Sequence, residues 1–250
     1  MAVDPIHQFQ IIDLFPVVKI GHTEIAFTNS AAYMAVAVVV IMLFLFGGTA
    51  RRSLVPGRLQ SAAELSYEFV ANTIRSTAGT EGMRFFPFVF TLFMFILVVN
   101  LIGLIPYTFT VTTHIVITAT LALSVFATVL VYGFWKNGLH FFNLFVPKGI
   151  PIYILPLIVF IEVLSFISRP ISHSVRLFAN MLAGHITLKV FASFITLLGG
   201  LGIFGIAGAT LPLALVVALT ALELLVAFLQ AYVFAILTCI YLNDAIHPGH

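Results

Sequence analysis

The chain is 250 residues long, 61% of them apolar, and only 8% carry a formal charge, against about a quarter in an ordinary soluble domain. A soluble globule of this composition has too little polar surface to cover itself. The net charge is only +2, its basic residues form no stripe, and nucleic-acid binding is excluded.

The charges are placed as tellingly as they are few. Residues 25–50 and 85–135 contain none, and 190–243 contain Glu223 alone. A helix needs about 20 apolar residues to cross a hydrocarbon core of about 30 Å. The fold class is therefore an all-α integral membrane protein with about five membrane-crossing helices, one membrane domain over residues 1–250.

In chain order, residues 1–30 read as an external N-terminal segment. Asp4, Asp13, Lys19 and Glu24 fit neither a signal peptide nor an Arg-rich transit peptide, so the first span is expected to insert uncleaved. That span is 31–48, closed by Gly47 and Gly48 and followed by Arg51 and Arg52 at headgroup level. Residues 53–84 are mixed. Leu59, Ala62, Ala63, Leu65, Phe69 and Val70 recur at helical spacing with Glu64 and Glu68 outward, which predicts an amphipathic helix at the interface.

Spans 85–105 and 115–135 are joined by PYTFTVTTH, a hairpin without Lys or Arg. Basic residues crowd the first connection (Arg51, Arg52, Arg58, Arg75, Arg84) and return in the third (Lys136, Lys148). The positive-inside rule places both of those in the cytoplasm and the N-terminus outside. The last two units, 151–198 and 211–242, would run about 72 Å and about 48 Å if helical throughout. They overshoot the membrane and are expected to form a strongly tilted hairpin around the Gly-rich stretch 199–210. Glu162, Arg169, His173, Arg176 and Asn180 hold one stripe about 100° wide straight through Pro170, which favours one long helix over a chain reversal there. Five passes put the C-terminus on the cytoplasmic side.

Ionisable side chains at bilayer depth cost roughly 2.5–3.5 kcal/mol or more and mark function by default. The sequence places most of its candidates late: Glu162, Arg169, Arg176, His185, Lys189 and Glu223, with Asn180 and Gln230 as polar companions. Arg169, Lys189 and Glu162 have a plainer reading as side chains that snorkel from helix ends. Arg176 is central to its unit, stays protonated under any desolvation, and has no acid one turn away. Its counter-ion must come from another helix or another subunit. His185 and Glu223 lie at similar distances from the 199–210 turn, so an antiparallel hairpin brings them to the same level. As a pair they form a titratable relay for protons, the plainer alternative being a polar packing contact.

The sequence has no GxxxxGK[ST] loop, no GxGxxG after a strand and no HExxH, so nucleotide and zinc-hydrolase readings fail; the favoured reading expects no cofactor or metal and a chain that is no enzyme on its own. Cys239 reads as a small buried hydrophobe. Residues alone leave three classes open: a subunit of a proton-driven assembly, a stand-alone secondary transporter or ion channel, and a haem-binding respiratory subunit.

The segment RLFANMLAGH at 176–185, with LLVAFLQAYVFAILTCIYL at 224–242 and VVNLIGLIP at 98–106, closely resembles subunit a of the F-type, proton-translocating ATP synthases. The resemblance covers nearly the whole chain. It implies a stator lying against a rotating ring of c subunits, each with a membrane carboxylate, within a hetero-oligomer that also holds b-type peripheral-stalk subunits and sits in the lipid bilayer. By that similarity Arg176 faces the ring, Asn180, His185, Glu223 and Gln230 line the outer half-channel, and Glu162 with His173 line the inner one. In many bacterial members the position of His185 holds an acid and that of Glu223 a histidine. The two are exchanged here, as in mitochondrial members, which preserves the pair. The bacterial inner membrane is favoured over the mitochondrial one because nothing in the sequence marks an organelle.

Overall fold

The computed structural model describes residues 11–20, 23–50, 55–105, 108–146 and 153–247. Arg51, Arg52, Lys148 and the beginning of the expected 151–198 span lie outside the described residues. A two-stranded antiparallel sheet, β1 (Asp13–Ile20) with β2 (Thr23–Thr28), comes first. Six helices follow: α1 (Asn29–Thr49), α2 (Arg58–Gly82), α3 (Phe86–Gly103), α4 (Ile115–Asn137), α5 (Leu155–Gly199) and α6 (Ile203–Ile246). Five helical runs are long and apolar enough to cross a membrane, α2 continuing through a short 3-10 turn into α3 as one of them. The strands are an addition to the all-α expectation, and a local one. The side chain of Asn29 accepts hydrogen bonds from the backbone of Ile12 (3.2 Å) and Ser30 (2.8 Å), tying the start of β1 to the start of α1.

The chain divides into two compact units. The first comprises Met1–Leu43, Phe95–His114 and Phe178–Gln230, and the second Phe44–Met94, Ile115–Leu177 and Ala231–His250. In the first, the end of α5 and most of α6 run antiparallel out of a tight turn in which Gly202 takes φ +81°, a value that favours glycine. The turn is shorter than the glycines of 199–210 suggested. α6 begins at Ile203, because a reversal needs only one residue in that conformation, and Gly205 and Gly208 already belong to the helix.

In the second unit, α2 packs against α3 and α6 through aromatic rings, Phe69 lying 5.6 Å from Phe93 and 5.3 Å from Tyr232. Gly47 and Gly48 at the end of α1 let α2 come close. A Cβ at either would stand 2.8 Å from Leu59 or Ala63. Glu64 and Glu68 are exposed, as their spacing predicted, but so are Leu59 and Leu65; the buried stripe is Ala63, Val70, Ala71, Ile74 and Ala78. Small residues repeat every four positions along the buried face of α6, at Ala231, Ala235 and Cys239, which allows the close helix approach that membrane packing depends on.

α5 runs as one helix through Pro170, as the continuous polar stripe predicted. The kink lies instead in α2, where Gly79 has φ 66° and ψ −165°, a region costing other residues roughly 1–3 kcal/mol. Gly79→Ala is therefore expected to lower the Tm of the detergent-solubilised protein by several degrees. Gly57→Ala, at an ordinary φ of −70° with open space around it, leaves Tm unchanged in the same thermal melt.

Candidate functional site

Polar side chains collect separately in each unit. In the first, Asn180 on α5 donates its Nδ2 hydrogen to Oε1 of Gln230 on α6 at 3.4 Å. One turn further along, Gly184 faces Glu223, and a Cβ at 184 would stand 2.5 Å from Oε1. Both carboxylate oxygens of Glu223 are buried and make no hydrogen bond among the described residues. A buried carboxylate without a hydrogen-bond partner is costly, which singles Glu223 out among the polar side chains of this unit.

His185 turns to the segment joining α3 to α4, its Nε2 standing 3.3 Å from Oγ1 of Thr110. That segment is itself held by polar contacts. Thr112 donates to Oδ1 of Asn100 at 3.0 Å, and Nδ2 of Asn100 reaches the carbonyl of Ala227 on α6 at 3.5 Å. His114 stacks on Phe109 with ring centroids 5.0 Å apart, and its burial holds the imidazole below its ordinary pKa. The sequence brought His185 and Glu223 to one level; the structure sets the carboxylate against Gly184, next to His185 in the chain, with no hydrogen bond joining the pair.

In the second unit, Arg169 does more than snorkel. Its Nη1 lies 2.6 Å from Oδ2 of Asp244 on α6, and the guanidinium sits 5.2 Å and 5.0 Å from the ring centres of Phe166 and Tyr241. The charge is thereby paired and set against two aromatic rings. His173 is buried against Phe234, centroids 3.8 Å apart, with Nε2 unpartnered among the described residues. Glu162 is half-buried two turns before Arg169.

Arg176 is the exception. It lies on the exposed face of α5 with Ser172, Val175 and Ala179, and makes no ion pair among the described residues. A cation at membrane depth without an ion-pair partner among the described residues is a candidate functional group.

A model of the family described as ATP synthase A chain matches residues 31–243. The chain belongs to this family. Subunit a of ATP synthase from Rhodopseudomonas palustris strain BisB18 is 71% identical over 248 residues, covering 99% of this chain and all of that one. The same subunit from strain BisA53 is 72% identical over 248 residues, covering 99% and 100%. That of Nitrobacter winogradskyi is 72% identical over 247 residues, covering 99% of each. The chain is thus a multi-pass membrane subunit of ATP synthase, one component of a hetero-oligomeric complex.

Sequence reasoning passed over Asn100, Thr110, Thr112 and Asp244 as site residues. A lone asparagine in the apolar run of α3 was a legible signal. The threonines were not, because a hydroxyl can satisfy itself on its own helix and its spacing says nothing of a partner. Among the described residues no group of three or more His, Cys, Asp or Glu side chains is placed to hold a metal ion. The close approach at Gly184 makes a prediction: Gly184→Ala pushes the Glu223 carboxylate aside and lowers ATP-driven proton pumping in membrane vesicles several-fold. Gly199→Ala, with nothing within 4 Å of its added Cβ, leaves pumping unchanged.

Proposed function

We propose that this chain is the stator of the ATP synthase membrane sector, carrying protons to and from the carboxylates of a rotating c-ring through two aqueous half-channels. The observation that carries the reading is Arg176, a permanent cation on an exposed face of α5 with no ion pair among the described residues. A ring carboxylate arriving at about 4 Å gains about 4 kcal/mol of attraction at an effective dielectric near 20, which makes it about a thousandfold more acidic. It releases its proton there, and regains one on leaving.

Along α5 the candidates for the two channels fall on opposite sides of Arg176 in the sequence. Glu162 and His173 precede it and serve the inner half-channel. Asn180 and His185 follow it and, with Glu223 and Gln230, serve the outer one. Glu223, buried and unpartnered, suits a group that takes up a proton and passes it on, with His185 as the second member of a relay. With the two aqueous sides opening on opposite flanks of a fixed positive charge, a proton crosses only by riding the ring. Each charge moved through 100 mV then supplies about 2.3 kcal/mol to rotation.

In this reading the whole chain forms one membrane domain, α2 lies along the interface, and α5 and α6 are tilted around the ring. A b-type peripheral stalk holds the subunit still in the bacterial inner membrane. The chain binds no nucleotide, and the chemistry of ATP belongs to other subunits.

The decisive experiment is coupled transport in vesicles holding the assembled complex. Arg176→Ala abolishes ATP-driven pumping, and Arg176→Lys impairs it, because a lysine ammonium is compact and gives up its proton when desolvated. Full coupled synthesis in the Arg176→Ala complex overturns the assignment. Glu223→Gln leaves assembly intact and slows proton uptake by about 100-fold, the scale of a lost acid–base group; unchanged proton flux removes Glu223 from the relay.

A further inference from the structure

Most hydroxyls described on α5 bond back to their own helix. Ser168 donates to the carbonyl of Ser165, Thr187 to Ala183, Ser193 to Val190 and Thr196 to Ser193. Ser174 does not. Its Oγ lies 3.1 Å from Oγ1 of Thr118 on α4, in a contact buried on both sides. Thr118 also lies 3.1 Å from the carbonyl of Ile115, to which its single hydroxyl hydrogen is donated. The hydroxyls of Ser174 and Thr118 thus share a hydrogen bond that crosses from α5 to α4.

Thr118 stands out on its own helix too. The buried stripe of α4 is Thr118, Ala122, Val125, Val129 and Gly133, and Thr118 supplies its one polar side chain. Apolar stripes packed in lipid give little resistance to rotation, since the surrounding tails are as apolar as the partner helix, whereas an interhelical hydrogen bond selects one register. The need for such a pin is local. Pro170, one turn before Ser174, removes a backbone hydrogen bond and loosens the helix at that point.

We infer that the Ser174–Thr118 hydrogen bond is a positioning device that locks the rotation of α5 just beyond Pro170, and thereby sets the direction in which Arg176 points. Ser174 and Arg176 are about 200° apart on the helix. His173, Ser174 and Leu177 are buried while Arg176 is exposed, so fixing the inner face fixes the outer one. A rotation of about 10° carries a group roughly 6 Å from the axis through roughly 1 Å. Drawing the guanidinium from about 4 Å to about 5 Å from an opposing carboxylate costs about fourfold in that carboxylate's acidity. The inference rests on the reading of Arg176 as the ring-facing cation.

The test uses vesicles containing the intact ATP synthase, with ATP-driven proton pumping measured at matched subunit content. Thr118→Val, which keeps shape and removes the hydroxyl, is expected to lower pumping about fourfold, and Thr118→Ser to restore it. Ser174→Ala is expected to match Thr118→Val, and the double variant to be no worse than either single one, because both remove the same bond. Wild-type pumping in Ser174→Ala overturns the inference even if the Thr118→Val chain fails to assemble. Losses that multiply in the double variant, or a serine at 118 that does not rescue, overturn it as well. Arg176→Ala in the same preparation separates the two ideas. Normal pumping there defeats the ring-facing reading itself, whereas its loss beside normal pumping in Ser174→Ala defeats only the positioning role.

Discussion

A charge in hydrocarbon has to be balanced, and no described residue of this chain makes an ion pair with Arg176. Arg169, seven residues earlier on the same helix, has Asp244 at 2.6 Å and two aromatic rings against its guanidinium. Arg176 lies on an exposed face and has no ion pair among the described residues. The contrast is informative because both residues are guanidinium groups at similar expense in lipid. One belongs to the architecture of its unit, and the other is left for the proposed partner of the assembled complex. Membership of the ATP synthase A chain family places the chain in such a hetero-oligomeric complex.

The remaining polar groups obey the same constraint in a milder form. Asn100, wholly buried, is held between Thr112 and the backbone of α6. His185 is steadied by Thr110. Among the described residues, Glu223 and His173 keep buried polar atoms without a hydrogen-bond partner, an arrangement that costs stability and marks them as candidate functional groups. Close approach makes these placements possible. Gly184 admits the Glu223 carboxylate, and Ala227, fully buried on α6, leaves room for Asn100.

Much of this was legible in the chain itself. Uncharged runs announced the spans, and the phase of Glu162, Arg169, His173, Arg176 and Asn180 announced that α5 continues through Pro170, because helical periodicity is a property of one segment. The exceptions share a physical cause. Leu65 reads as part of an apolar face, yet it is exposed, since in a membrane protein apolar residues are at ease on either side of a helix and amphipathicity loses its power to assign inside and outside. The glycines of 199–210 read as a long turn, yet only Gly202 needs a positive φ there. The β1–β2 pair was missed because its strands are short and their pairing is with each other.

Sequence by itself determined that the chain crosses a membrane, which residues are ionisable at depth, and that Arg176 has no acid within reach on its own helix. These follow from composition and helical spacing, which are local. Tertiary structure decided that Arg169 pairs with Asp244, that His185 meets Thr110, that Glu223 rests on Gly184, and that Ser174 reaches Thr118. Each of those joins positions distant in the chain, and helix packing in lipid depends on small residues and single hydrogen bonds whose partners no periodicity encodes.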